Sequence, residues 1–291
     1  MLPASATQWG HVPVGGYRRD RETQPTEKKQ MVRNTILCAA LATMAASPAM
    51  SQTVQVRIEN LQPDGGMAFT PFWVGFHDGS FDVFDAGSMA SGGITEIAEL
   101  GDTGALTARF AMQQPSGVDA TFADPSGPPV FSPGESATMN FDVGDASVNR
   151  FFNYASMVVP TNDLFVGNDM SREIFDSSGN FLGPVTIDIF GRSVWDNGTE
   201  VNDITDGPAF VAGIDATGGT KESVDIERFF SRPGAGDYLS SIIGTTTAPG
   251  DDITNVFSER DLIGRITIVP APGVASVGLI AGLGLVGRRR R

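Results

Sequence analysis

The 291-residue chain reads as mostly β, an antiparallel β-sandwich with one short helix across a face or an end. Three observations predict it. Short apolar stretches alternate with a period of two, Gly, Asn, Asp and Pro clusters punctuate them, and residues 52–269 run without an internal repeat or a low-complexity linker. Those 218 residues are enough for one sizeable sandwich.

The stretch TVQVRIENL places Val54, Val56 and Ile58 on one face and Gln55, Arg57 and Glu59 on the other, the pattern of a half-buried strand. Pro63-Asp-Gly-Gly66 then makes a turn, and PFWVGFHDG gives a second strand ending at Asp78-Gly79. SGGITEIAELGD is the predicted helix: Ile94, Ile97, Ala98 and Leu100 recur near helical spacing, Glu96 and Glu99 face water, and Gly101 ends it. GALTARFAM, ESATMNFDV and RFFNYASMVVP read as further strands, with Pro133-Gly134 as a turn. GNFLGPVTIDIF and RSVWDNGTEVND continue the strand-and-turn pattern, and SVDIERFF suits a short strand or a helix. RDLIGRITIVP closes the domain, with Ile263, Ile266 and Ile268 apolar.

The two ends read as targeting segments rather than as fold. Residues 1–30 are polar, rich in Arg and Lys and aperiodic, an upstream disordered stretch before a start at Met31. Residues 31–51 have the three parts of a secretory signal peptide: Arg33, an apolar run from Ile36 to Ala46, and small residues near Ala49 and Ser51. At the other end, residues 270–291 combine a Pro-rich break, an apolar segment from Val274 to Val286 and four arginines, Arg288 to Arg291. The apolar segment is short for a spanning helix, and the arginines would stay on the cytoplasmic side. This order resembles the PEP-CTERM sorting signals of Gram-negative bacteria, with Val-Pro-Ala-Pro at the motif. The resemblance implies cleavage by an exosortase-type protease and membrane contact only through this segment before processing; a plain C-terminal anchor is the alternative. Either way the body is exported through the Sec pathway to the cell surface or the medium.

Charge and residue usage narrow the chemistry. Residues 52–269 carry 31 acidic and 10 basic residues, net −21, against −14 for the whole chain. So acidic a surface repels nucleic acid and anionic headgroups and suits divalent cations. The one cysteine, Cys38, lies in the leader, so the mature chain has no disulfide, no thiolate nucleophile and no cysteine metal site. His77 is its one histidine, which excludes zinc sites built on several histidines. His77-Asp78 with Asp82 and Asp85 can be read as a catalytic cluster, but a histidine beside an aspartate at a strand end is more often a hydrogen-bonded structural residue. The expectation is that the protein is not an enzyme.

Two acidic turns remain. In VVPTNDLFVGND, Asn162, Asp163, Asn168 and Asp169 sit between apolar runs, where they serve either as turn residues or as oxygen donors to an ion. In VWDNGTEVNDITDG, Asp196, Glu200, Asp203 and Asp206 surround an Asn197-Gly198 hairpin signal. Carboxylates gathered by loops repel one another unless a positive charge intervenes, and a hard cation with oxygen ligands, calcium above all, would supply it. No EF-hand pattern or Gly-rich nonapeptide is present.

Three blocks in order carry a family resemblance: PFWVGFHDGSFDVFDAGSMASGGITEIAELGD, SMVVPTNDLFVGND and WDNGTEVND. Together they resemble the spondin domain, known at the N-terminus of the animal matrix protein F-spondin and in secreted bacterial proteins, over Thr53 to Ile268. The resemblance implies a β-sandwich that holds calcium near one end, with Asp163, Asp196 and Glu200 at the ligand positions. Asn162, Asn168, Asp169 and Asp203 are possible outer partners. Departures include Thr161-Asn162 for Ser-Pro, Leu164 for Trp, Asn197 for Ala, and Glu200 for Asp. The function implied is adhesion or association with an extracellular matrix or exopolysaccharide component. The alternative is a secreted carbohydrate-binding or carbohydrate-active protein, for which Trp73 and Trp195 would have to lie on an open face.

Overall fold

The computed structural model describes residues 51–123 and 130–272. The predicted leader, except Ser51, and the apolar C-terminal segment with its arginines lie outside the described residues.

In chain order the strands are β1 (Ser51–Asn60), β2 (Ala68–Phe69), β3 (Phe72–His77), β4 (Val118–Phe122), β5 (Ser136–Asp145), β6 (Phe151–Val159), β7 (Leu164–Gly167), β8 (Arg172–Glu173), β9 (Val185–Phe190), β10 (Trp195–Asp196), β11 (Glu227–Arg228) and β12 (Leu262–Pro270). The helices are α1 (Gly92–Leu100), α2 (Gly104–Gln113) and α3 (Ala235–Ile242). All strand pairs are antiparallel and form two sheets. One runs β5-β1-β12-β9; the other runs β11-β10-β7-β6-β3-β4, with β2 and β8 alongside β6. The predicted sandwich is the observed fold.

The alternation in the sequence explains the first sheet. Val54, Val56 and Ile58 of β1 are buried, and β1 lies between Phe141, Met139 and Ala137 of β5 and Pro270, Ile268 and Ile266 of β12. Their side chains meet Phe72, Val74 and Phe76 of β3 and Phe152 and Tyr154 of β6 in one core between the sheets. Burying each such aliphatic or aromatic side chain contributes roughly 1.5–3 kcal/mol.

The second sheet is covered on its outer side as well. Trp73, Ala155, Phe165 and Trp195 point away from the sandwich core and pack with Phe81, Phe84, Ile94, Ile97, Leu106 and Phe110. Strand β3 is therefore buried along both faces, which is why it reads as a continuous apolar run rather than an alternating one.

Helix α1 forms where predicted and ends at Gly101, whose φ of 70° places it in the left-handed region that favours glycine. Two details differ. Leu100 is exposed at 40%, whereas Glu99, expected in water, keeps only 9% of its surface exposed and pairs with Lys221. GALTARFAM is α2, not a strand: its buried positions, Leu106 and Phe110, are four apart, and its alanines favour helix. Helix α3 was not foreseen, although Ala235, Tyr238, Leu239 and Ile242 follow the i, i+3, i+4, i+7 spacing and are its buried residues. SVDIERFF resolves into both of its alternatives, β11 followed by a 3₁₀ turn at Phe229–Ser231. Among the described residues no helix is long and apolar enough to cross a membrane.

Candidate functional site: two buried acidic turns

The first acidic turn, Pro160 to Asp163, joins β6 to β7, which pair from Ala155↔Gly167 to Met157↔Phe165. Thr161 closes it, its hydroxyl donating to the Val158 carbonyl and accepting from the Leu164 N–H. Asn162 reaches outward to other elements. Its amide donates to the Asp206 carbonyl at 2.7 Å, and its side-chain oxygen accepts from Asp203 N–H at 3.0 Å and from the Tyr238 hydroxyl at 2.9 Å. Asn162 thus stitches the first turn to the end of the second and to α3.

The second turn follows β10, where Asp196 pairs with Leu164. Here the Asn197-Gly198 signal does not make a simple hairpin. Gly198 has φ 71°, and the chain folds back onto Asp163: Asn197 N–H donates to the Asp163 carbonyl at 3.2 Å, and Thr199 and Glu200 N–H donate to its Oδ2 at 2.9 and 3.0 Å. A bent backbone that aims successive N–H groups at one carboxylate needs glycine at such a position.

The structure brings Asp163, Asp196 and Glu200 into one region, each with no solvent exposure. Their partners differ. Asp196 has donors on both oxygens: Oδ1 accepts from Gly198 N–H and Arg232, both at 2.9 Å, and Oδ2 from the Asn202 amide at 2.6 Å. Glu200 accepts from Lys221 on Oε1 at 2.6 Å, and the same ammonium binds Glu99 at 2.8 Å. The positive charges expected between these acids are thus partly supplied by Arg232 and Lys221.

Four buried oxygens in these turns have no partner: Asp163 Oδ1, Asn197 Oδ1, Glu200 Oε2 and Asn202 Oδ1. A buried acceptor left unpaired costs about 1–3 kcal/mol. Gly219 keeps the space beside one of them, because a Cβ there would lie 2.7 Å from the Glu200 carboxyl atoms. Among the described residues no three His, Cys, Asp or Glu side chains converge as a metal-holding group, so a cation here would have to draw on amide oxygens as well as carboxylates. An all-oxygen set of two carboxylates and two amides is the chemistry a hard cation takes.

Burial sets the electrostatics. It raises the Asp163 carboxyl to about 8, with the Asp196 charge adding to the shift. Burial also raises Asp196, against the pull of Arg232, and Glu200, against its bond from Lys221.

The possible outer partners separate. Asp203 turns its exposed carboxylate onto Thr205, whose N–H and hydroxyl hold its pKa down. Asn168 and Asp169 sit at the far end of β7. Asn168 accepts from Tyr154 N–H and donates to Phe152 and Met170 carbonyls, and Asp169 accepts from Ala86 N–H. Sequence reasoning overlooked Asn202, which lies within the second motif among its acids, and Lys221 and Arg232, which nothing local marks because the fold delivers them from outside the two motifs.

The histidine cluster is a hydrogen-bonded network. His77 is fully buried, Gly79 N–H donates to Nδ1 at 3.0 Å, and Nε2 lies 2.6 Å from Asn153 Oδ1. An N–H donating to Nδ1 leaves the ring proton on Nε2. Burial lowers its pKa. Asp82 is exposed, and partial burial together with Asp85 raises it to about 6. Trp73 and Trp195 are both buried, their indoles donating to Asp119 and to the Gly167 carbonyl, and Arg228 lies 3.5 Å over the Trp195 ring. Neither offers the open platform that sugar stacking needs.

The family model described as Spondin_N matches residues 62–217, more than half the chain and inclusive of both acidic turns. No curated protein matches the chain.

Proposed function

Because this chain belongs to the spondin N-terminal domain family, an extracellular, adhesion-type domain, we propose that it is an exported, non-enzymatic calcium-binding protein serving adhesion or association with an extracellular matrix or exopolysaccharide. The observation that carries the calcium reading is the set of unpartnered, buried oxygens on Asp163, Asn197, Glu200 and Asn202. A bound calcium would supply the positive charge that lets Asp163 ionise in a site that otherwise keeps it protonated.

In this reading Asp163 and Glu200 are the charged ligands, and Asn197 and Asn202 contribute amide oxygens. Asp196 acts one step back: with both oxygens occupied, it fixes Asn202 and Gly198 and is balanced by Arg232. Asn197 stands where the related domains carry Ala, so one ligand would be particular to this chain.

Export follows the sequence: a Sec leader at residues 31–51, and a PEP-CTERM-like segment at 270–291 for an exosortase-type protease. Buried Trp73 and Trp195 favour the matrix role over the carbohydrate-active one. The deciding experiment is metal analysis of the purified mature protein together with melting in calcium and in chelator. Stoichiometric calcium and a raised Tm are expected; no bound metal and superimposed melting curves would reject the reading.

A further inference from the structure

We propose that the cleft between the 63–66 turn, the segment around Ser132 and the turn at 247–253 binds a basic side chain, Lys or Arg, presented by a partner polypeptide. The cleft encloses about 310 Å³. Its walls include Ala68, Val159, Ile253 and the partly exposed ring of Phe210, and its rim carries Asp64, Asp251 and Asp252. Among the described residues no Lys, Arg or His lines it. This inference does not depend on a cation at the acidic turns.

Charge decides the class of occupant. Some acidic groups are answered by a cation within the chain, as Asp188 is by Arg265, Glu173 by Arg150, Asp196 by Arg232 and Glu200 by Lys221. The carboxylates of Asp64 and Asp251 have no hydrogen-bond or ion-pair partner among the described residues, and Asp252 accepts only from the Thr246 hydroxyl. Three like charges around an apolar hollow focus a negative potential into it, which attracts cations and repels anions. The apolar walls suit the methylene stem of a basic side chain, and the Phe210 face suits its charged head.

Phe210 is held there in an unusual way. Among the described residues it is the one non-glycine with positive φ, at 64°. Its neighbours fix it from both sides: Ala209 N–H donates to the Thr161 carbonyl at 3.0 Å, and the Phe210 carbonyl accepts from Ala248 N–H at 2.7 Å. A bulky residue kept in this region marks a position where the ring's placement is retained against backbone preference.

The test is a titration of the purified protein with acetyl-Gly-Lys-Gly-amide, its Arg counterpart and its Nε-acetyl-lysine form, followed by the methyl NMR signals of Val159 and Ile253. Saturable shifts with the two basic peptides and none with the acetylated one are expected. Phe210→Leu and Asp251→Asn should each weaken binding about fivefold while leaving remote methyl signals in place, and Phe210→Tyr should retain it. Three outcomes would overturn the proposal: no saturable shift, an equal response to the acetylated peptide, or binding indifferent to both weakening substitutions. Tighter binding of free cadaverine than of the peptides would overturn the assignment to a polypeptide.

Discussion

The Lys221 ammonium lies 2.6 Å from Oε1 of Glu200, so a half-exposed cation answers a carboxylate that has no solvent contact. The same ammonium reaches Glu99 near the end of α1. One flexible side chain therefore joins the helical layer to the acidic turns and neutralises part of the charge a metal would otherwise neutralise.

Replacing Lys221 with Met should separate these roles. Without calcium, Glu200 loses its counter-charge and stability should fall by about 2 kcal/mol, less than for a fully buried pair because Lys221 is half exposed. The calcium-induced gain should be larger than in the wild type, because the cation no longer competes with a resident charge. Urea denaturation with and without calcium measures both quantities; a smaller calcium gain in the variant would contradict the competition.

Asp163→Asn should remove the calcium response while scarcely changing the metal-free protein. The wild-type carboxyl, raised to about 8, is already uncharged at neutral pH without a cation, and Asn keeps its shape. Asp196→Ala should instead destabilise the protein with or without calcium, since it takes one partner from Arg232 and leaves the Asn202 amide without its acceptor. Paired melting curves distinguish the two patterns.

The pH dependence of the metal-free protein has a definite sign at Asp163. Its folded pKa lies above the ordinary 3.8, so its contribution is fully present below that value and is lost as pH rises toward about 8. The slope is at most about 1.4 kcal/mol per pH unit. Saturating calcium should remove it, because the ionised form is then the bound one. Chemical denaturation across pH 4–8, the window set by those two values, checks this.

His77 works in the opposite direction. Burial lowers its pKa from 6.5, so the unfolded chain takes up a proton first and stability should fall as pH drops below 6.5, levelling off once the folded pKa is passed. In the Asp163→Asn background this decline should stand out, and His77→Gln should abolish it. A decline unchanged by the His77 substitution would assign it to another group.

Gly219→Ala tests the room beside Glu200. The added methyl meets the carboxyl at 2.7 Å, so Glu200 must shift, and calcium affinity measured by isothermal titration should fall about tenfold.

Much of the architecture was legible because period and packing agree. Val54, Val56, Ile58 and Ile266 alternate and face one core, and Gly101 ends α1 where its spacing said. The strand reading of GALTARFAM failed because short apolar runs of mixed period fit both templates, and only the pairing of Leu106 with Phe110 against the second sheet decides between them. Asp163, Asp196 and Glu200 could be picked out as a group, but the different partners each one takes could not. That depends on Arg232 and Lys221, which long-range folding brings to the turns.

The order of strands in the first sheet bears on where this domain can be cut. A fragment confined to residues 62–217 would discard β1 and β12, the two inner strands that join β5 to β9, leaving those outer strands with no neighbour to hydrogen-bond. It would also lose Lys221, Arg232 and Tyr238, and with them the fastenings of both turns. The stretch recognisable as a relative is thus smaller than the piece able to fold, and expression boundaries belong outside Ser51 and Pro270.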